Sequence, residues 1–301
     1  MKHTLKVTIF LVIIFFCAQI IGLGVINQYM DHEQTEETGN ITWSNLPYDL
    51  ERPEIEETSS YAWIMAAILI GTALLLLLIR FRRVNIWKFW FFISVWLALS
   101  IAFGAFVNQL LAVILALALG IWKVFKPNIW VHNGTELFIY GGLAAIFVPI
   151  ISVKGAFILL LIISIYDMIA VWKSKHMVKL AKFQTDSKVF AGLLVPYKLP
   201  KMSKMGKKKS KKVKVKTAVL GGGDIGFTLL FAGVMMKQLM LTNTIAIGFL
   251  KTVIITVTTT VALFWLLTAA KKDKFYPAMP FLSIGCVAGF IILAILGFIG
   301  F

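Results

Sequence analysis

Nine runs of apolar residues, separated by short polar stretches, organise the 301-residue chain. They cover roughly 5–29, 61–80, 86–107, 109–123, 136–152, 155–173, 217–240, 243–269 and 281–301. Most approach the ~20 apolar residues that a helix needs to cross a bilayer. Each therefore predicts a transmembrane helix, because a helix satisfies its own backbone groups in lipid. A β-barrel would show shorter segments of alternating polarity. The fourth and fifth runs are short, and the turn near Asn108 is tight. The first run exceeds a signal-peptide core and no small-residue cleavage site follows it cleanly, so it reads as a retained helix. The expected fold is all-α, a polytopic membrane protein with nine transmembrane helices. Residues 1–173 carry helices 1 to 6, with an external acidic loop at 31–60; residues 174–216 form a basic cytoplasmic loop; residues 217–301 carry helices 7 to 9.

Composition agrees with that class: 59% of residues are hydrophobic and the mean hydropathy is +0.86. The net charge of +16 would suggest nucleic acid in a soluble protein. Here the cations concentrate in loops, so topology and anionic headgroups explain them, and the expected partner is the bilayer rather than nucleic acid. The 173–216 segment alone holds 15 of the 30 Lys and Arg, against one Asp. Cation-rich and cation-poor loops alternate through all nine runs, which places the N-terminus in the cytoplasm and the C-terminus outside. The localisation expected is the cell membrane, multi-pass. From Lys198 to Lys216 the long loop is nearly all Lys, Ser, Met and Val and reads as a solvated linker. Of two glycosylation patterns, at Asn40 and Asn133, only Asn40 falls on the external side.

Charge placement brings in the chemistry. Nine of the 14 acids lie between Asp31 and Glu57. Glu136, Asp186 and Asp273 fall in or beside other polar segments. That leaves Asp167, in LLIISIYDMIAVW, and Asp224, in TAVLGGGDIGFTLLFAGV. A carboxylate at membrane depth costs roughly 2.5 kcal/mol or more and usually faces a bundle interior where it has a function. Asp167 precedes Lys173 by six residues and Asp224 follows Lys216 by eight. That is about 9 Å and at most about 12 Å of helical rise. Both carboxylates therefore sit at similar depth, in the cytoplasmic half, on consecutive antiparallel helices. Three glycines, Gly221 to Gly223, precede Asp224. Each costs about 1 kcal/mol inside a helix, so they imply close approach of another helix or a substrate, or packing alone through Gly222 and Gly226. Before the last helix, Tyr276-Pro277-Ala278-Met279-Pro280 predicts an extended segment.

Taken together, Tyr166-Asp167, Gly221-x-Gly223-Asp224 and Pro277-Ala278-x-Pro280 resemble the presenilin and signal-peptide-peptidase family of intramembrane aspartyl proteases. The order, helix numbers and intervening loop match across the whole chain, which looks most like a microbial, archaeal-type homologue. The resemblance implies that Asp167 and Asp224 are the catalytic pair. It implies that Tyr166, Gly221, Gly223, Pro277, Ala278, Met279 and Pro280 shape the site. The family motif has Leu where this chain has Met279, a swap of similar volume. Two carboxylates about 3 Å apart cannot both ionise, so the charged member takes a proton from the attacking water while the neutral one binds the scissile carbonyl. The substrates implied are single-span membrane proteins or peptides, with no cofactor, no metal and no obligatory partner subunit.

Other readings use the same residues. Acids at membrane depth also serve ion- or proton-coupled transporters, although those favour midplane sites in repeated halves, and no repeat is visible. A prepilin-type peptidase shares the Gly-x-Gly-Asp chemistry but has Cys-x-x-Cys pairs, and Cys17 and Cys286 cannot form one. The four histidines (His3, His32, His132, His176) lie at or beyond the expected helix ends, which disfavours a buried zinc or a serine–histidine site. Finally, Lys212-Val213-Lys214-Val215-Lys216-Thr217 alternates with period two. It reads either as a Lys-rich linker or as a strand whose Val213 and Val215 face the bundle and whose edge receives an unwound substrate.

Overall fold

The computed structural model describes residues 4–81, 83–174, 176–187, 189–197, 217–271 and 276–298. Helix α1 (Leu5–Gln28) leads into a small polar cap made of β1 (Met30–Asp31), α2 (His32–Thr38) and β2 (Thr42–Trp43). Then come α3 (Ser60–Arg80), α4 (Val84–Gly104), α5 (Gln109–Phe125), α6 (Ile129–Phe147) and α7 (Val153–Met168), the last continued by a π-helical turn at Ile169–Lys173. Helix α8 (His176–Asp186) and strand β3 (Gly192–Pro196) follow. Strand β4 (Thr217–Gly221), α9 (Gly222–Met240), α10 (Ile245–Ala269) and α11 (Met279–Ile295) complete the described chain.

Helices stand at all nine apolar runs. Among the described residues six are long and apolar enough to cross a membrane, while α5 and α11 are shorter apolar helices. The short connections are set by side-chain caps. Asn108, Asn128 and Ser152 each accept a backbone N–H from the first turn that follows, at 2.9, 2.8 and 3.1 Å, which lets a helix restart within a few residues.

Four features differ from the sequence expectation. The fold is mostly helical but not purely so, since β1 pairs with β2 and β3 with β4, both antiparallel. The basic segment 174–216 carries regular structure in its described part, a helix at 176–186 and a strand at 192–196, while the expected linker, 198–216, lies outside the described residues. The seventh apolar run begins as strand β4 and becomes helical only at Gly222. The fifth helix begins at Ile129 rather than near 136. Its first turns look too polar to span, but their polar groups are buried against one another.

One large core joins α1, α6, α7, α9, α10 and α11, with Phe15, Phe231, Leu229 and Ile225 among its fully buried members. Helix α1 is central, packing on α6, α9 and α10. A second cluster, including Phe91, Leu99 and Ala116, joins α4 and α5 to α6. Helix α3 is peripheral: Ser60 and Ile64 are its buried residues, and it packs mainly along α7. At the opposite end from the basic loop, Arg52 ties the acidic segment to the bundle by donating to the carbonyls of Ala145 (3.3 Å) and Ser44 (2.9 Å).

Candidate active site

Asp167 lies on the buried face of α7, in register with Leu159, Leu160, Ile163 and Ser164. It is 7% exposed. Its Oδ2 accepts the Met279 N–H at 3.1 Å, and the carboxylate also takes the Ala278 N–H. The sequence explains why those two donors are free. Helix α11 starts at Met279 with Ala278 as its cap, and alanine has no oxygen with which to satisfy the first turn. Pro277 and Pro280, on either side, have no N–H at all. The segment thus presents two adjacent backbone donors, and Asp167, reaching over from α7, caps α11 in place of a local side chain. Met279 is buried in the main core.

Asp224 is built the same way at the start of another helix. It is the third residue of α9, whose cap is Gly221, and its carboxylate accepts the Gly221 N–H. This is the acidic half of a capping box, and an anion in a first helical turn is favoured by the helix dipole by about 0.3–1 kcal/mol. The three glycines therefore straddle a strand-to-helix junction rather than weaken a helix interior. Their roles differ. A Cβ on Gly222 would come within 2.6 Å of the Tyr140 hydroxyl, so glycine is required there by α6. A Cβ on Gly223 would meet only Phe227 of its own helix, at 3.5 Å. Gly223 is exposed and Asp224 partly so. The open side of the junction is thus the side on which Asp224 sits.

Helices α7, α9 and α11 pack on one another around the two acids, and Asp167 lies within electrostatic reach of Asp224. The Phe157 ring of α7 meets Phe231 of α9 edge-on (5.1 Å, 83°) and Phe290 of α11 likewise (4.9 Å, 82°), joining all three helices. Ser164 and Ser283 share a hydrogen bond of 2.8 Å between α7 and α11. Tyr166 projects elsewhere: its hydroxyl hydrogen-bonds to Thr72 of α3 (3.2 Å) and His176 of α8 (3.1 Å). Burial lowers the His176 imidazole from its ordinary value. Val213 and Val215 lie outside the described residues. The strand that is described starts at Thr217 and alternates outward and inward, with Thr217 and Val219 exposed and Ala218 and Leu220 buried.

Several supporting residues escaped sequence reasoning. Gln19 is fully buried on α1, and its amide donates to the Ile225 carbonyl (2.9 Å) and to Thr228 Oγ1 (2.8 Å). The Thr228 hydroxyl in turn donates to the Asp224 carbonyl at 2.8 Å. A lone amide in an apolar run is the same kind of signal as the two aspartates, without the charge. Glu136 corrects the count of buried acids: it is 1% exposed and pairs with Lys123 at 2.6 Å. His132 corrects the placement of the histidines, since it is buried within the first turns of α6. Among the described residues, no three His, Cys, Asp or Glu side chains are grouped to hold a metal ion.

The comparisons place this architecture. The model of the family described as "Signal-peptide peptidase, presenilin aspartyl protease" matches residues 41–299. A solved structure of a presenilin family intramembrane aspartate protease in space group C222 is similar with a TM-score of 0.61 and 18% identity, covering 96% of this chain and 99% of that one. The P2 structure of such a protease gives 0.59 and 19%, over 95% and 96% of the two chains. Of the curated proteins compared, none matches. With the family model covering most of its length, this multi-pass membrane protein belongs to the signal-peptide-peptidase and presenilin family of intramembrane aspartyl proteases.

Proposed function

We propose that Asp167 and Asp224 are the catalytic pair with which this protease hydrolyses peptide bonds within or near the transmembrane segments of its substrates. The observation that carries the assignment is the way both carboxylates are held. Each is fixed by backbone N–H groups at the start of a different helix, and the two lie within electrostatic reach. Backbone donors cannot swing away, so the acids are presented in fixed positions, which is what general acid–base chemistry needs. The ionised carboxylate takes a proton as water oxygen bonds to the scissile carbonyl carbon. The protonated carboxyl hydrogen-bonds the carbonyl oxygen as it gains charge. The resulting diol collapses, the C–N bond breaks, and the leaving amine takes a proton from the pair. The two groups titrate as a unit.

Gly221, Gly223, Pro277, Ala278, Met279 and Pro280 shape the site through the backbone, and Tyr166 shapes it indirectly by tying α7 to α3 and α8. All nine apolar helices span the membrane, the N-terminus is cytoplasmic and the C-terminus external, and water reaches the acids from the cytoplasmic side of the cell membrane. Lys and Arg asymmetry supports this orientation.

Substrate is held in extended form along β4. Gly222 donates to the Ala191 carbonyl at 3.1 Å. With the register Leu193↔Leu220 and Val195↔Ala218, alternation leaves the N–H and C=O of Val219 on the side away from β3. Val219 is 40% exposed. An unwound substrate segment finds there the backbone partners that it loses by unwinding, and the strand leads directly to Asp224. The test is purified protein incubated with a single-span peptide, the products identified by mass, with and without an aspartyl-protease transition-state mimic. Asp167→Ala and Asp224→Ala should each remain folded and abolish cleavage. Substantial cleavage by either purified variant refutes the assignment.

A further inference from the structure

The β3–β4 pair has two outer edges, and among the described residues it is the one along β3 that is closed. Along the outer edge of β3, side chains of α6 take the place of a third strand. Glu136 Oε2 accepts the Gly192 N–H at 3.0 Å. His132 Nε2 lies 2.7 Å from the Gly192 carbonyl, so this nitrogen carries the proton and donates. Asn133 donates to the Leu194 carbonyl at 2.7 Å and accepts the Leu194 N–H at 3.0 Å. These residues occupy one face of α6 within about a turn of one another. Glu136 Oε2 also accepts the Tyr140 hydroxyl, whose ring packs against Gly222, two residues before Asp224. Lys123 balances the charge: its ammonium donates to Glu136 Oε1 (2.6 Å) and Thr135 Oγ1 (3.0 Å), and has the His132 carbonyl and Nδ1 at 3.3 Å. Both members of the ion pair are 1% exposed. A pair this deeply buried is weak as a source of stability, because desolvation offsets the attraction. Its value must lie in what it holds.

We propose that Glu136, neutralised by Lys123 and flanked by His132 and Asn133, is a positioning residue of the protease. It closes the β3 edge against a substrate strand and fixes the Gly221–Gly222 junction that aims Asp224, so that substrate enters on the β4 edge in a single register. The inference rests on the Asp167–Asp224 reading of the site and adds the element that sets where the substrate is cut.

The experiment compares two charge-neutral double variants in the full-length protein. Lys123→Met/Glu136→Gln keeps an oxygen that accepts from Gly192 and Tyr140. Lys123→Met/Glu136→Leu removes that acceptor. A single-span peptide is cleaved, kcat and KM are measured per folded molecule, and products are mapped by mass. The Leu variant, which removes both hydrogen bonds to Glu136 Oε2, should lose about tenfold or more in kcat/KM, and its cuts should spread to neighbouring peptide bonds. The Gln variant should restore the parent product pattern. Asn133→Leu, which creates no unpaired charge, gives the same spread to a smaller degree and serves if a double variant does not fold. A Leu or Asn133→Leu variant that folds and cuts the parent bond at the parent rate overturns the proposal. Parallel Asp224→Ala protein separates the two claims: if it cleaves, the dyad assignment is wrong, whereas an inactive Asp224→Ala beside an unaltered product pattern refutes only the role of Glu136.

Discussion

Gly222 and Gly223 are adjacent and identical, yet substituting them should fail in opposite ways. A methyl on Gly222 would lie 2.6 Å from the Tyr140 hydroxyl and 3.1 and 3.2 Å from two ring carbons. Ordinary contact begins near 3.4 Å, so the ring would have to retreat by roughly half an ångström or more. It has no room, being 5% exposed and held by Glu136. Overpacking of this kind costs about 1–3 kcal/mol. On a chain of this size that lowers the unfolding midpoint by ~2–4 °C per kcal/mol. A methyl on Gly223 meets only Phe227, at 3.5 and 3.7 Å. Replacing a helical glycine by alanine gains up to about 1 kcal/mol, so the fold should be unharmed or slightly firmer. If the substrate backbone lies against the open face beside Asp224, however, that methyl displaces it by ~1 Å, and a misplacement of that size can cost about a hundredfold in rate. The assay is thermal unfolding and peptide cleavage on the same purified samples. Gly222→Ala should lose stability, and Gly222→Ala combined with Tyr140→Leu should regain part of it. Gly223→Ala should keep its midpoint and lose cleavage. A stable Gly222→Ala contradicts the packing at the junction, and a fully active Gly223→Ala contradicts the placement of substrate.

Three further outcomes are expected. Gln19→Leu removes two buried hydrogen bonds to the first turns of α9 and should cost about 1–3 kcal/mol; differential unfolding of the purified variant checks it, and an unchanged midpoint would detach α1 from the site. Tyr166→Phe loses the bonds to Thr72 and His176, so hydrogen exchange in α3 should rise while the bond cut in the peptide stays the same; a shifted cleavage position would instead put the hydroxyl in the site. A reporter fused near residue 190 should be cytoplasmic and one near residue 45 external, as the positive-inside rule requires; a cytoplasmic signal at 45 would reverse the orientation and the route of water to the acids.

Some of this site was legible in the sequence because its signals are local and expensive. Asp167 and Asp224 are charges in apolar runs, and Pro277 and Pro280 are backbone punctuation; each can be seen without knowing what lies next to it. Glu136 was hidden by its neighbours. His132, Asn133 and Thr135 make its surroundings look like a loop, and the cation that permits its burial, Lys123, is carried by a different helix. Mutual satisfaction across helices leaves no trace in either segment alone. Strand β4 was hidden for a different reason. Thr-Ala-Val-Leu-Gly is too short and too apolar for a period of two to be told from one of 3.6, and it runs without a break into α9.

The glycine and proline motifs also carried more than their residue types disclosed. Read as helix breakers, they mark boundaries. In the fold they decide which N–H groups are left over: Gly221 at the cap of α9, and Ala278 with Met279 between two prolines at the start of α11. Each unpaired donor at a helix start needs an acceptor, and leaving a buried one without a partner is costly. A carboxylate is the strongest acceptor a side chain can offer. The same step that satisfies each helix end therefore removes part of the cost of holding an acid inside the bundle. The two acids and the two irregular helix starts are accordingly parts of a single arrangement, and altering the backbone donors should impair the site as surely as altering the aspartates.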